Sequence, residues 1–236
     1  MLSQNELKEK AAQTAVSLVK NNMKLGIGTG STVDFFVKLL AKEIQKGLKI
    51  VGVATSEQTA ALCRSLTVPL TTLEEHPVLD LTIDGADEVD PNLQLIKGGG
   101  GALLREKITA FASKEMVVII DESKKVNQLG NFPLPIEVNR FGWKATKTAL
   151  QQLAEKFSLT GDIILRHQAS IPFITDEGHY ILDAHWSKLS ELKILAAKLE
   201  QIPGVVQHGL FIDMATKVIV AQPNGDIKII EAKDKR

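Results

Sequence analysis

Between Asp84 and Glu106 the chain gathers carboxylates, a lysine and a run of glycines. It reads Asp84-Gly85-Ala86-Asp87-Glu88-Val89-Asp90, then Lys97-Gly98-Gly99-Gly100-Gly101, then Ala102-Leu103-Leu104-Arg105-Glu106-Lys107. Carboxylates and an ammonium brought to one place are the parts of a proton-transfer site. Consecutive glycines bring almost nothing to a core and lose much backbone freedom on folding, so the run implies a backbone that passes close to a ligand. Glu88 and Asp90 fit a structural role in the turn that follows.

Two other stretches supply complementary chemistry. Gly28-Thr29-Gly30-Ser31-Thr32 reads as a loop between a strand and a helix, where free N–H groups, hydroxyls and glycines form a phosphate cradle. It lacks the Gly-Lys-Ser/Thr of a P-loop, and Ser31 stands where the dinucleotide fingerprint needs its third glycine. The plainer alternative is a tight turn with Ser and Thr caps. Asp121-Glu122-Ser123-Lys124 follows an apolar run, and its lysine can neutralise a phosphate or a developing oxyanion. The alternative there is an Asp cap with a solvated lysine.

Glu106 falls on a helix expected from 102 to 112. Leu104, Ile108 and Phe111 form its expected buried stripe, with Glu106 on the opposite side, just over one turn from the glycine run. A glutamate so placed is either a solvated surface residue or a base at the mouth of a cavity shared with Lys97 and the aspartates. A metal site is disfavoured. Histidines 76, 167, 179, 185 and 208 are scattered without ligand spacing, and the carboxylates have none beside them.

The elements that must position these residues follow an alternating pattern. Ser3 and Glu6 form a capping box before Leu7, Ala11 and Ala15. Short apolar runs at 24–27, 50–53, 79–83 and 116–120 alternate with helical patterns, the second carrying Val33, Phe36, Val37, Leu40 and Ile44 on one face. This predicts an α/β domain with a Rossmann-like, mainly parallel sheet. The acids and the glycine turn then fall at strand carboxyl ends, where such sheets bind ligands. From about residue 130 the order becomes strand 134–138, helix 143–157, strands 161–166 and 172–182, helix 187–201 and an extended piece from 204. That order is βαββαβ, a ferredoxin-like α+β domain. Residues 217–222 and 227–230 read as a hairpin returning to the first domain. The expected division is residues 1–129 plus 208–236 for the Rossmann-like catalytic domain and 130–207 for the inserted one.

The totals narrow the class further. The 236 residues are 44% hydrophobic and 24% charged, with 28 basic and 28 acidic side chains. That balance gives no net charge to attract nucleic acid or an anionic membrane. No apolar run approaches a membrane span, and the polar N-terminus lacks a signal peptide's apolar core. Cys63 is the only cysteine, so no intrachain disulfide forms, and it reads as a buried inert thiol. A cytoplasmic protein is the expectation.

At these residues the chain resembles type A ribose-5-phosphate isomerase. The resemblance is carried by Gly26-Ile-Gly-Thr-Gly-Ser-Thr32, Asp84-Gly-Ala-Asp-Glu-Val-Asp90, Lys97-Gly-Gly-Gly-Gly-Ala-Leu-Leu-Arg-Glu-Lys107 and Asp121-Glu-Ser-Lys124. Pro133-Leu-Pro-Ile-Glu-Val138, Ile202-Pro-Gly-Val-Val206 and Gly209-Leu-Phe211 extend it along nearly the whole chain. It implies interconversion of ribose 5-phosphate and ribulose 5-phosphate through an enediolate, a step of the pentose phosphate pathway, without metal or organic cofactor. By motif, Glu106 is the base and Asp84 handles hydroxyl protons with Asp87 beside it. Lys97 and the N–H groups of Gly98, Gly99 and Gly100 hold sugar oxygens, with Gly85 and Ala86 in the substrate-binding stretch. Thr29, Gly30, Ser31 and Thr32, with Lys124 and Lys8, hold oxygens including the phosphate. The family also implies a homodimer or a dimer of dimers. The rival readings are a sugar-phosphate-sensing domain without turnover and an enzyme acting on another sugar phosphate, such as an amino-sugar phosphate deaminase.

Overall fold

The computed structural model describes residues 2–233, which pack as two compact units. The first comprises the chain up to Ala86, Arg105–Lys125 and the chain from Asp213; the second comprises Asp87–Leu104 and Val126–Ile212. Packing thus draws the divisions at 125/126 and 212/213 rather than 129/130 and 207/208, and groups residues 87–104 with the second unit.

In the first unit six strands form one sheet, ordered Ile227–Glu231, Lys217–Ala221, Met116–Asp121, Leu81–Asp84, Met23–Ile27, Ile50–Ala54. Every neighbouring pair is parallel except the hairpin of Lys217–Ala221 with Ile227–Glu231. Met116–Asp121 is buried at every position, as a strand covered on both faces must be. Helix Gln4–Val16 begins with the expected capping box: the Glu6 N–H donates to Ser3 Oγ, and the Ser3 N–H donates to Glu6 Oε2 at 2.7 Å. Its Leu7, Ala11 and Ala15 share a core with Phe36 and Leu40 of helix Ser31–Gln45 and with Leu25, Ile27, Ile83 and Ile119 of the sheet. Because the parallel strands run the same way, the residues after Ile27 and Ala54 and those at Asp84 and Asp121 share one sheet edge.

The second unit carries the ferredoxin-like order. Leu134–Val138, Trp143–Lys156, Ile163–Leu165, Tyr180–Ala184, Leu192–Glu200 and Val205–His208 follow one another as βαββαβ. Their strands lie side by side as Val205–His208, Leu134–Val138, Tyr180–Ala184, Ile163–Leu165, all antiparallel. Leu134, Ile136 and Val138 alternate into a core with Leu150, Leu195, Leu199 and Trp186. A small sheet of Glu88–Val89, Leu95–Ile96 and Leu210–Phe211 also belongs to this unit. Strands of two residues carry too little periodicity to be read from sequence.

Several expectations need correcting. On helix Leu103–Phe111 the buried residues are Leu103, Glu106, Thr109 and Ala110, while Ile108 is 49% and Phe111 80% exposed. Apolar spacing selected one face; the fold buries the opposite one, which carries Glu106 and whose Thr109 and Ala110 are small enough to lie close to the sheet. The run 172–182 is not one strand. Thr175 and His179 close a turn around Gly178 (φ 80°), so only Tyr180–Ala184 enters the main sheet. The last helix starts at Leu192 rather than 187, because the segment before it is irregular, with Lys188 (φ 54°) and Glu191 (φ 48°) left-handed and Trp186 and Leu189 buried as separate anchors. No helix among the described residues is long and apolar enough to cross a membrane.

Cys63 lies fully buried on helix Glu57–Ser65, and burial pushes its thiol up to about 11. At about pH 8 almost none of it is thiolate, the reactive form. Iodoacetamide at that pH should therefore leave the native chain unmodified and alkylate it in urea; rapid labelling of the folded protein would contradict the buried assignment.

Candidate active site

The first unit gathers its sequence candidates on the shared sheet edge. Beyond strand Met23–Ile27 the Gly28 N–H donates to the Ile83 carbonyl at 2.9 Å, so the turn stays docked on strand Leu81–Asp84. Asp84, fully buried, presses directly on Gly28: a Cβ there would lie 2.0 Å from Asp84 Oδ1. That same oxygen accepts the Thr29 N–H at 3.2 Å and the Gly85 N–H at 2.8 Å. The Thr29 hydroxyl turns inward, among those of Thr55, Ser56 and Thr59.

Helix Ser31–Gln45 starts at once, so Ser31 and Thr32 are its first turn rather than loop. Gly30 occupies the N-cap position with φ 118° and supplies no side-chain cap. The leading N–H groups of this helix are thereby presented to an external acceptor, with the positive end of the helix dipole behind them. Lys8 reaches the same place from helix Gln4–Val16, its Nζ donating to Ser31 Oγ at 2.9 Å.

Glu106 is only 4% exposed. Its depth is set by Thr109, whose methyl would sit 2.6 Å from a Cβ on Gly26, while Thr82 Oγ1 would sit 1.9 Å from it. Only glycine at position 26 lets the helix come this close. Glu106 lies three residues before Thr109, about 4.5 Å along the helix axis. Gly28 and Asp84 lie two residues beyond Gly26 and Thr82, about 6.6 Å along the strands. Helix and strands run in opposite senses, since Ala112 at the helix end bonds to Leu79 at the strand start. Glu106 therefore falls within about one residue's rise of Gly28 and Asp84 along the strands.

Asp121 is 97% buried and caps the short turn Glu122–Lys124, accepting the Ser123 N–H at 3.0 Å and the Ser123 hydroxyl. It is a structural cap. Lys124 is half-buried in that turn, at the end of the strand next to Leu81–Asp84.

The second unit holds the remaining sequence candidates, since the division falls between Ala86 and Asp87. Asp87 Oδ2 accepts the Gly99 N–H at 2.8 Å. Glu88 accepts the N–H groups of Gly130 and Phe132, at 2.7 and 2.6 Å, and Asp90 accepts those of Asn92 and Gln94, both at 2.8 Å, so both acids are structural. Lys97 is 2% exposed, its Nζ 5.4 Å from the Phe211 ring centroid. Arg166, absent from the sequence candidates, holds the glycine run from behind. Its Nη1 donates to the carbonyls of Gly98 and Gly99 at 2.9 and 3.1 Å, while Asp183 grips its other nitrogens in a bidentate pair. Carbonyl and N–H of one trans peptide point opposite ways. Holding the Gly98 carbonyl therefore sends the Gly99 N–H towards Asp87, and holding the Gly99 carbonyl turns the N–H of exposed Gly100 away from the guanidinium.

Arg166 sits in a stretch without a motif, and the sequence offers Thr55-Ser56-Glu57 only as the opening of a helix, with Thr59 inside it. Their position at a strand's carboxyl end was the available signal. Among the described residues no three histidine, cysteine or carboxylate side chains form a group that could hold a metal ion.

The family model for ribose 5-phosphate isomerase A (phosphoriboisomerase A) matches residues 51–225. The chain is 57% identical over 220 residues to the ribose-5-phosphate isomerase A of Sinorhizobium medicae, covering 93% of this chain and 95% of that protein. It is 50% identical over 232 residues to that of Bartonella bacilliformis, covering 98% and 100%. Among solved structures, ribose 5-phosphate isomerase from Plasmodium falciparum superposes with a TM-score of 0.93 at 37% identity, over 98% of this chain and 100% of that one. A D-ribose-5-phosphate isomerase in complex with phospho-erythronic acid gives 0.90 at 37% identity, over the same shares.

The contact between Gly28 and Asp84 makes a direct prediction. Gly28→Ala must displace the carboxylate and should lower stability by about 1–3 kcal/mol, whereas Gly85→Ala, whose Cβ meets nothing nearer than 4.0 Å, should be tolerated. Urea unfolding midpoints of the two variants decide the matter; equal midpoints would refute the close packing.

Proposed function

We propose, from the premise that the chain belongs to the ribose 5-phosphate isomerase A family and interconverts D-ribose 5-phosphate and D-ribulose 5-phosphate, a proton transfer through an enediolate without metal or organic cofactor. The carrying observation is the sheet edge of the first unit, where buried Glu106 and buried Asp84 come to nearly one level beside an uncapped helix N-terminus. Two carboxylates next to an anion cradle suit a phosphorylated polyol.

The C2 proton of an aldose is a very weak acid, so its removal needs a base and stabilisation of the charge that develops on the oxygens. Glu106 is the base that carries the proton between C2 and C1, a contribution of roughly 10²–10⁴-fold. Asp84 moves hydroxyl protons, those of ring opening included, with Asp87 as the second acid of the motif. Lys97 and the N–H groups of the glycine run meet the enediolate oxygens. With the Gly99 N–H already given to Asp87, Gly100 is the donor best placed for that work. The phosphate goes to the N–H groups and hydroxyls of Ser31 and Thr32, with Lys8 and Lys124 as counter-charges and Gly30 allowing close approach. Gripping a group remote from the chemistry positions the reacting carbons and raises kcat. Phospho-erythronic acid, bound by a related enzyme, is itself a phosphorylated hydroxy acid that is planar and anionic at one end, as an enediolate is. We place the enzyme in the cytoplasm as a homodimer or dimer of dimers, on the resemblance.

Purified protein should convert ribose 5-phosphate to the ketose at an unchanged rate in the presence of EDTA; loss restored by a divalent metal would overturn the metal-free route. Glu106→Gln should retain the native circular dichroism spectrum and lose at least about 10²-fold in kcat. Near-wild-type turnover would remove Glu106 from the role of base. Light scattering should return two or four times the 25.7 kDa chain mass, and a monomer would contradict the assembly.

A further inference from the structure

The hydroxyls behind the glycine turn are buried: Thr55 is fully enclosed, Thr59 is 1% exposed and Ser56 5%. Their contacts form a single directed chain. Each hydroxyl has one proton to give. The Gly28 carbonyl is an acceptor only, so Thr59 Oγ1, at 2.9 Å, gives its proton there. Ser56 must then donate to Thr59 at 3.0 Å, Thr29 to Ser56 at 2.8 Å, and Thr55 to Thr29 at 2.8 Å. The 3.2 Å approach of Thr29 to Thr59 has no proton left to fill it. Ser56 Oγ also accepts the Thr59 N–H at 3.0 Å, as N-cap of helix Glu57–Ser65, which ties the chain to that helix.

The chain does not stop at Gly28. The Gly28 carbonyl and the Thr29 N–H belong to one peptide group and point opposite ways. That N–H donates to Asp84 Oδ1 at 3.2 Å. Four hydroxyls and one peptide thus line up with every donor aimed toward a carboxylate, the arrangement in which successive bonds polarise and strengthen one another. A turn flanked by Gly28 and Gly30 has little stiffness of its own.

We infer that Ser56 and Thr59 are positioning residues for Asp84: through the Gly28–Thr29 peptide they fix where its carboxylate sits, without touching substrate. The inference rests on the proposed role of Asp84 in proton transfer. It also places the Thr29 hydroxyl outside ligand binding, since its proton belongs to Ser56 and its lone pairs face Thr55 and Thr59. Thr29 then serves the site through its backbone.

Thr59→Val keeps the volume of the side chain and removes the donor; Ser56→Ala breaks the chain one link earlier, and Thr55→Val removes only its far end. Losing a hydrogen bond to a positioned group predicts kcat lower by about tenfold for Thr59→Val and Ser56→Ala, with KM for ribose 5-phosphate within about twofold. Thr55→Val should cost less than either, and Thr59→Ser should restore kcat. A turn that merely needed filling would give equal losses at the three equally buried sites and no rescue by serine, which would overturn the inference. An activity-free readout separates it from the functional reading. In Thr59→Val the Thr29 amide proton resonance should move upfield while that of Gly85 holds its place. A wild-type enzyme without turnover would refute the isomerase assignment, whereas an unmoved Thr29 resonance in Thr59→Val would refute the chain.

Discussion

Asp84 lies fully enclosed at the carboxyl edge of the parallel sheet, and its Oδ1 is met by two backbone N–H groups, from Thr29 and Gly85. Taking an ionised carboxylate out of water is costly unless donors meet it. Much of the first unit follows from that requirement. Gly28 has no side chain because the carboxylate occupies the space. The turn around it binds back to the Ile83 carbonyl, and hydroxyls from the neighbouring strand end and helix start hold its peptide plane. The same turn opens a helix whose N-cap carries no side chain to compete for its N–H groups. One loop therefore seats an acid on one side and opens an uncapped helix N-terminus on the other.

The second unit repeats the device with different chemistry. Asp87 takes its donor from the Gly98–Gly99 peptide, whose carbonyl is held by the Arg166 guanidinium rather than by a hydroxyl. Asp183 answers the arginine in a bidentate pair, so the clamp adds geometry and little net charge. In both units a single peptide group is gripped at its oxygen and presents its N–H to a motif aspartate. Glycine-rich backbone can approach closely because it has no side chains, and for the same reason it must be stiffened from outside.

Helix Leu103–Phe111 shows what the site takes from the fold. Two of its large apolar residues, Ile108 and Phe111, are exposed, while Glu106 and Thr109 are buried. Burying a glutamate and exposing a phenylalanine is a loss for a helix considered alone. It becomes intelligible from Gly26 and Thr82, which admit Thr109 at a distance that no larger residue would allow, and so bring Glu106 close to the level of Asp84.

Sequence by itself determined the alternation of strands and helices, the βαββαβ order of the second unit, the capping box at Ser3 and the chemistry-bearing motifs, because each depends on local spacing. It also marked Glu88 and Asp90 as structural acids. It misjudged the face of the Glu106 helix, since apolar periodicity is blind to which small residues a sheet will admit. The strand expected over 172–182 ran two apolar stretches, Phe173–Ile174 and Tyr180–Leu182, together across the Asp176-Glu177-Gly178 turn that separates them. Only tertiary structure decided that the Thr29 hydroxyl turns to Thr55 and Ser56 while its N–H meets Asp84, that Gly99 spends its N–H on Asp87, and that Arg166, Ser56 and Thr59 stand behind the glycines. Those roles depend on hydrogen bonds between residues well separated in sequence, from 12 to 68 positions apart, and such pairings leave no local pattern to read.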